Sequence, residues 1–225
     1  MAVTFDTNTS SDVDGGASPL TWTHTGTGST DRAVAVSLGF DVVLGMAITD
    51  VTYDSTAMTY AEQQPASGNR RGRQYVLATN DKAAGSHTVS VSYTGTAVGT
   101  AFGAASYAGV DQTTPIRSGS ATSASGSDDA PTVAVTSQAD DLAIDMVYHA
   151  AVTETAGGGQ TERIDVANGG NQLSVSDEAG AASVTMSWSL SAASNCVLCA
   201  LSVAAAGGAP AAVLRSHRML LLGVG

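Results

Sequence analysis

Charged residues make up only 13% of this 225-residue chain and aromatic residues 5%. So few charges cannot coat the outer faces of helices, and they point instead to strands with polar but uncharged faces. Positive charge is the scarcer sign: 9 Lys/Arg stand against 20 Asp/Glu, a formal net charge of −11. Nucleic acid and anionic membranes both require clustered cations, so neither is expected as a partner. Solubility is the plain consequence of the negative balance. No apolar run approaches the ~18 residues needed to span a bilayer. The opening Met1-Ala-Val-Thr-Phe-Asp6 lacks a basic and then an apolar region, so no secretory signal is expected. Cysteine is nearly absent. Cys196 and Cys199 sit three apart in a strand-like run, which points them to opposite faces and places them poorly to bond each other. One CxxC without a second pair is a weak zinc or redox signal.

What is present is a repeat. Gly85-Ser-His-Thr-Val-Ser-Val-Ser-Tyr-Thr94, followed by Ala101–Val110, returns as Gly180-Ala-Ala-Ser-Val-Thr-Met-Ser-Trp-Ser189, followed by Cys196–Val203. At a shift of 95 residues Val89, Val91 and Tyr93 fall on Val184, Met186 and Trp188. Apolar/polar alternation of this kind marks a strand with one buried and one wet face. Leu142, Ile144, Met146 and Tyr148 mirror Val34–Phe40 at a shift of 108, and Gln172, Leu173 and Val175 mirror Gln74, Tyr75 and Leu77 at 98. Shifts that change along the chain place insertions and deletions in loops.

In chain order, Met1–Phe5 reads as a short strand and Asp6–Ser18 as a loop. Leu20–Thr25 and Ala33–Phe40 are strands, with Trp22 facing in. Ile48–Tyr53 and Ala57–Glu62 form a hairpin around Asp54-Ser55-Thr56. Gln63–Arg73 is a polar loop, Asp111–Pro115 a turn, and Ser118–Asp129 a flexible connection. The pattern predicts an all-β chain: a jelly-roll-like antiparallel β-sandwich over residues 1–206, made from two interleaved pseudo-halves at about 20–115 and 130–206. Residues 207–225 form a linker and an apolar, basic tail. That tail holds two of the nine Lys/Arg and none of the acidic residues. Exposing its large apolar side chains costs roughly 1.5–3 kcal/mol each. It either folds back on its own sandwich or docks on a neighbour. The expected partner-binding residues are therefore Val213, Leu214, Arg215, Arg218, Met219, Leu220, Leu221 and Leu222. Arg70, Arg71 and Arg73, the densest basic cluster, are added as a contact to an acidic neighbour.

Motifs for chemistry are missing. His24, His87, His149 and His217 lack metal-site spacing, and HExxH, GxSxG, a P-loop and GxGxxG are absent. Glu62, Glu154, Glu162 and Glu178 show no paired spacing of the kind glycoside hydrolysis needs. Asp12-Val-Asp14-Gly15, Asp128-Asp129 and Asp140-Asp141 could ligate calcium, but acidic residues at turns are usually solvated. No catalytic residue, metal site or cofactor is expected, and no enzyme. A glycan-binding module would need an exposed aromatic platform. Trp22, Trp188 and Tyr93 fall in core phase instead, while Tyr53, Tyr60, Tyr75 and Tyr107 are left open.

The run Ile48–Thr59, together with Ala84–Tyr93 and Tyr107–Pro115, resembles a recurrent jelly-roll β-sandwich module of phage virion proteins and bacterial surface proteins. The similarity covers roughly residues 20–205. It implies a structural or adhesive role without a shared catalytic motif. The expectation is a virion protein, such as a capsid decoration (cement) protein, located in the particle. It would contact other virion subunits as a homo-oligomer within a larger assembly. The alternative is a carbohydrate-binding or adhesin module.

Overall fold

The computed structural model describes residues 1–13, 16–28, 30–63 and 67–207, except the side chains of Val13, Glu62 and Gln63. Among them every regular element is a strand. The first half holds β1 (Thr4–Val13), β2 (Leu20–Gly26), β3 (Ala33–Asp41), β4 (Ala47–Tyr53), β5 (Thr56–Ala57), β6 (Thr59–Gln63), β7 (Arg70–Ala78), β8 (Gly85–Thr94) and β9 (Thr100–Ala108). The second holds β10 (Thr122–Asp128), β11 (Thr132–Thr136), β12 (Leu142–Ala150), β13 (Glu154–Ala156), β14 (Thr161–Asn168), β15 (Asn171–Ala179), β16 (Ser183–Leu190) and β17 (Ser194–Val203).

Each half divides its strands between two antiparallel sheets. The first forms β1-β9-β3-β7-β6 and β2-β8-β4-β5; the second forms β10-β17-β12-β15-β14 and β11-β16-β13. With β5 and β6 counted as one strand that changes sheets, both halves follow the jelly-roll order: first, last, third and sixth strands on one sheet, second, seventh and fourth on the other. The sandwich expectation holds, but the halves do not interleave. Each half closes its own jelly roll, and no sheet takes strands from both. The two units stack through their five-stranded sheets, giving four layers with three apolar seams.

The layering explains two kinds of strand. The outer sheets meet water on one face, so β8 and β16 alternate: Val89, Val91 and Tyr93, or Val184, Met186 and Trp188, point inward between Ser and Thr. The central strands of the inner sheets are covered on both sides, so β3 and β12 are buried at every position but the last. That erases the phase. In β3, Val34, Val36, Leu38 and Phe40 face their own outer sheet, whereas in β12 the predicted counterparts Leu142, Ile144, Met146 and Tyr148 face the other half. The repeat as read from sequence is therefore one residue out of register here, and also at Tyr75 and Leu173.

The seam between the halves joins a small face to a large one. The first half offers Ala33, Ala35, Ala101 and Ala105, with Gly39, Gly72 and Gly103 among them. The second half presses Ile144, Met146, Tyr148, Leu173, Val197 and Leu201 into it. A Cβ on Gly39 would lie 2.2 Å from the Tyr148 ring, and one on Gly103 2.6 Å from Ile164 Cδ1. These glycines are required by close approach, not by backbone conformation. Polar links ring the seam: Arg70 donates to Asn171 Oδ1 at 2.6 and 2.9 Å, Asn168 to the Thr100 carbonyl, and the Tyr148 hydroxyl to the Gly99 carbonyl. Arg163 lies 4.1 Å from the Phe5 ring centroid while pairing with Asp177 at 2.7 Å.

Several local expectations are corrected. Asp6–Val13, read as loop, belongs to β1, which pairs along β9. Within the predicted flexible Ser118–Asp129, Thr122–Asp128 is β10, which pairs along β17. Both are edge strands at the same place in their jelly roll, and both lack an apolar face. The connection between halves is bonded to the second half, through bridges Ile116–Val203 at the end of β17 and Val110–Ala205 just beyond it, and through the Arg117–Asp141 pair at 2.6 Å before β12. Asp54 and Ser55 both take positive φ, as a two-residue hairpin turn requires, and β5 pairs with β4. The returning chain then crosses to the inner sheet as β6. Cys196 and Cys199 form no disulfide and are buried in different seams, as their spacing predicted. Trp188 and Tyr93 are buried, while Trp22 is only partly covered, stacked on Phe102 at 6.0 Å.

Candidate functional site

The two jelly rolls differ most on one face. The positions of β3 that look toward its outer sheet are Val34, Val36, Leu38 and Phe40; those of β12 are Ala143, Asp145, Val147 and His149. The neighbouring strand β15 adds Gln172, Ser174 and Ser176 to that same side. Apolar core in the first unit is thus replaced by a polar interior in the second.

The inner part of this region is closed. Asp145 Oδ1 accepts from Ser176 N at 3.1 Å and Ser176 Oγ at 2.6 Å, and Oδ2 accepts from Trp188 Nε1 at 2.7 Å. Gln160 donates to Asp145 and to Ser176 Oγ, and accepts from Ser187 N at 2.7 Å. Burial pushes the Asp145 carboxyl up to about 7 despite those donors. With Trp188 covering it, this group is a buried structural acceptor.

The outer part is a mouth between β13 and the β14–β15 edge. Glu154 on β13 meets Glu162 and Asp165 on β14: one carboxylate oxygen from each lies within 4.8 Å of the others. Glu154 Oε1 accepts from Gln172 Nε2 at 2.5 Å and Ser174 Oγ at 2.8 Å; the same Gln172 nitrogen donates to Asp165 at 2.6 Å. Burial, then the neighbouring Asp165 and Glu154 charges, raise the Glu162 carboxyl. Among the described residues no Lys or Arg pairs with any of the three. His149, fully buried, donates from Nδ1 to the Ala150 carbonyl at 2.5 Å and turns Nε2 toward Glu154 Oε2, 3.9 Å away. That distance is too long for a hydrogen bond, and Nε2 has no partner. Burial lowers the pKa of this imidazole.

Linear spacing hid this arrangement. Glu154 and Glu162 looked unpaired because the turn between them carries the chain from one sheet to the other. A readable signal did exist: Asp145 and His149 interrupt an otherwise apolar buried run.

The other predicted sites fall elsewhere. Val213, Leu214, Arg215, Arg218, Met219, Leu220, Leu221 and Leu222 lie outside the described residues. Arg70, Arg71 and Arg73 begin β7 rather than a loop, and strand alternation parts Arg70 from Arg71 and Arg73. Arg70 turns into the seam toward Asn171, while Arg73 reaches the Ile48 carbonyl at 3.0 Å and lies over Phe40 and Tyr60. Arg71 bonds the Gly68 and Arg70 carbonyls. Of the calcium candidates, Asp14 and Gly15 are outside the described residues, Asp128 caps Ala130 N at 3.0 Å, and Asp141 pairs with Arg117. Tyr53, Tyr75 and Tyr107 are buried; Tyr60 is the one large aromatic exposed among the described residues. A cavity of the first unit, lined by Asp6, Arg32, Tyr53 and His87, holds about 10 Å³, room for a water at most. Comparison of the chain with protein-family models, curated proteins and solved structures finds no match.

Proposed function

We propose that this chain is a structural, non-catalytic component of a phage virion, a capsid decoration (cement) protein or another surface subunit. The observation that supports it best is how fully the interior is given over to packing. The central strands of both inner sheets are buried on both faces, and two jelly rolls lock into one block through a continuous apolar seam. Such a body suits a stiff spacer on a particle surface. Its edges, β1 and β10 among them, are rich in Ser, Thr, Gly and Asp, which discourages indiscriminate strand addition. Anchoring falls to the apolar, basic segment 213–225, which buries its leucines against neighbouring virion subunits. Many identical copies make even a weak contact hold, through avidity.

Deleting 213–225 tests this. The truncated chain should unfold at an unchanged midpoint and fail to enter particles; incorporation at the full-length level would refute the anchoring role. A glycan-binding role is the second reading. It is favoured by an open trough on the outer sheet lined by Thr21, Thr52, Asp54, Thr88 and Ser90, all hydrogen-bonding side chains. Glycan-array binding lost on Thr52→Ala or Ser90→Ala would favour it over the first.

A further inference from the structure

We infer that Glu154, Glu162 and Asp165, together with Nε2 of His149, form a binding site for one divalent transition-metal cation at the mouth of the second jelly roll. Two independent observations converge there. The first is the trio of carboxylates, drawn from two sheets and left without a cationic side chain. Like charges this close repel, and a cation relieves the repulsion. The second is His149. Its Nε2 is buried, lacks any partner, and faces Glu154 Oε2 at 3.9 Å.

The tautomer is the one metal ligation requires. Because Nδ1 donates to the Ala150 carbonyl, the lone pair sits on Nε2, the atom that faces Glu154 Oε2. Metal-binding imidazoles are commonly oriented by this kind of backbone acceptor. Gln172 supports the acids in turn, holding Glu154 and Asp165 at 2.5 and 2.6 Å. Ligand atoms at ~2.1 Å from an ion lie ~3 Å apart when adjacent and ~4 Å apart when opposed. The three carboxylates lie within 4.8 Å of one another and Nε2 lies 3.9 Å from Glu154 Oε2, so side-chain rotation about Glu154 as the shared ligand brings the four together. Glu162 and Asp165 are exposed, so an ion can enter from solvent.

The donor set chooses the ion. Calcium and magnesium prefer all-oxygen cages, whereas imidazole with carboxylates suits manganese, cobalt or zinc. The geometry does not depend on the virion reading and stands apart from it.

The test uses the full-length protein, stripped with chelator and titrated with Co²⁺ by absorption and Mn²⁺ by electron paramagnetic resonance. One equivalent should bind saturably and raise the thermal midpoint. Glu162→Gln and Asp165→Asn change exposed side chains and remove a repelling charge, so the metal-free midpoint should not fall, while binding weakens at least about tenfold. His149→Gln should weaken binding and also shift the Co²⁺ absorption bands, because nitrogen is replaced by oxygen. Should that variant fail to fold, the Co²⁺ bands of the unaltered protein still report a nitrogen ligand. Absence of saturable binding at millimolar metal would overturn the site, as would binding indifferent to Glu162→Gln and Asp165→Asn. Calcium binding as tight as manganese, with oxygen-only Co²⁺ bands, would overturn ligation by His149.

Discussion

Gly103→Ala offers the sharpest probe of the seam between the jelly rolls. The new Cβ would sit 2.6 Å from Cδ1 of Ile164, an atom belonging to the other half. Gly103 has no positive φ, so alanine brings no backbone strain and the cost is steric. Overpacking of this kind costs about 1–3 kcal/mol. Ile164→Val alone deletes the offending methyl and should cost about 0.5–1.5 kcal/mol as a small cavity. In the double variant the nearest atom becomes Ile164 Cγ2 at 3.2 Å, a contact a small shift can relieve. The double should therefore be no less stable than Gly103→Ala alone, a favourable coupling of about 1–2 kcal/mol. For a chain of this size about 1 kcal/mol moves the thermal midpoint by roughly 2–4 °C. Urea unfolding followed by tryptophan fluorescence reads it well, because Trp22 reports one half and Trp188 the other. Strict additivity of the two substitutions would refute the packing described for the seam.

Other outcomes follow from buried polar groups. Asp145, raised to about 7 by burial, binds its proton more tightly folded than unfolded. The stability it contributes is full below the ordinary carboxylate range and is lost as pH rises through about 7, with a slope of at most about 1.4 kcal/mol per pH unit. Asp145→Asn should flatten that part of the stability profile; parallel wild-type and variant curves would contradict it. His24 is held down to about 4, first by burial, so its contribution is present above the ordinary imidazole range and lost as pH falls through about 4. His24→Gln should remove that acid-side loss in urea unfolding at a pH series. Asp141 accepts from Arg117 twice, from Ser202 Oγ, and from Gln138 N and Ala205 N. Asp141→Ala should cost about 3–5 kcal/mol in urea unfolding, as expected for breaking a buried pair. Burial lifts the Cys196 thiol to about 11, and Cys199 is fully buried. A thiol reagent should therefore label neither cysteine in the native chain and both after denaturation.

Legibility in the sequence followed exposure to water. Strands β8 and β16 were readable because each has one wet face, which imposes alternation. Strands β3 and β12 were found but mis-phased, since a strand buried on both faces carries no record of which side is which. Edge strands β1 and β10 escaped because their Ser, Thr and Asp content matches that of loops, and only pairing with β9 and β17 reveals them. The Arg70–Arg73 cluster dissolved for a simpler reason: proximity in sequence becomes opposition across a strand. The acidic mouth was hidden by a crossing between sheets, which joins Glu154 to Glu162 in space but not in any linear motif.

Native-state amide hydrogen exchange of the full chain tests most directly whether the two jelly rolls share one interior. If they do, the central amides of β3, β9, β12 and β17 open only by global unfolding, with one common free energy and one common denaturant dependence. Exchange of β12 and β17 at a distinctly lower free energy, while β3 and β9 stay protected, would show two units that merely touch, and would contradict the account.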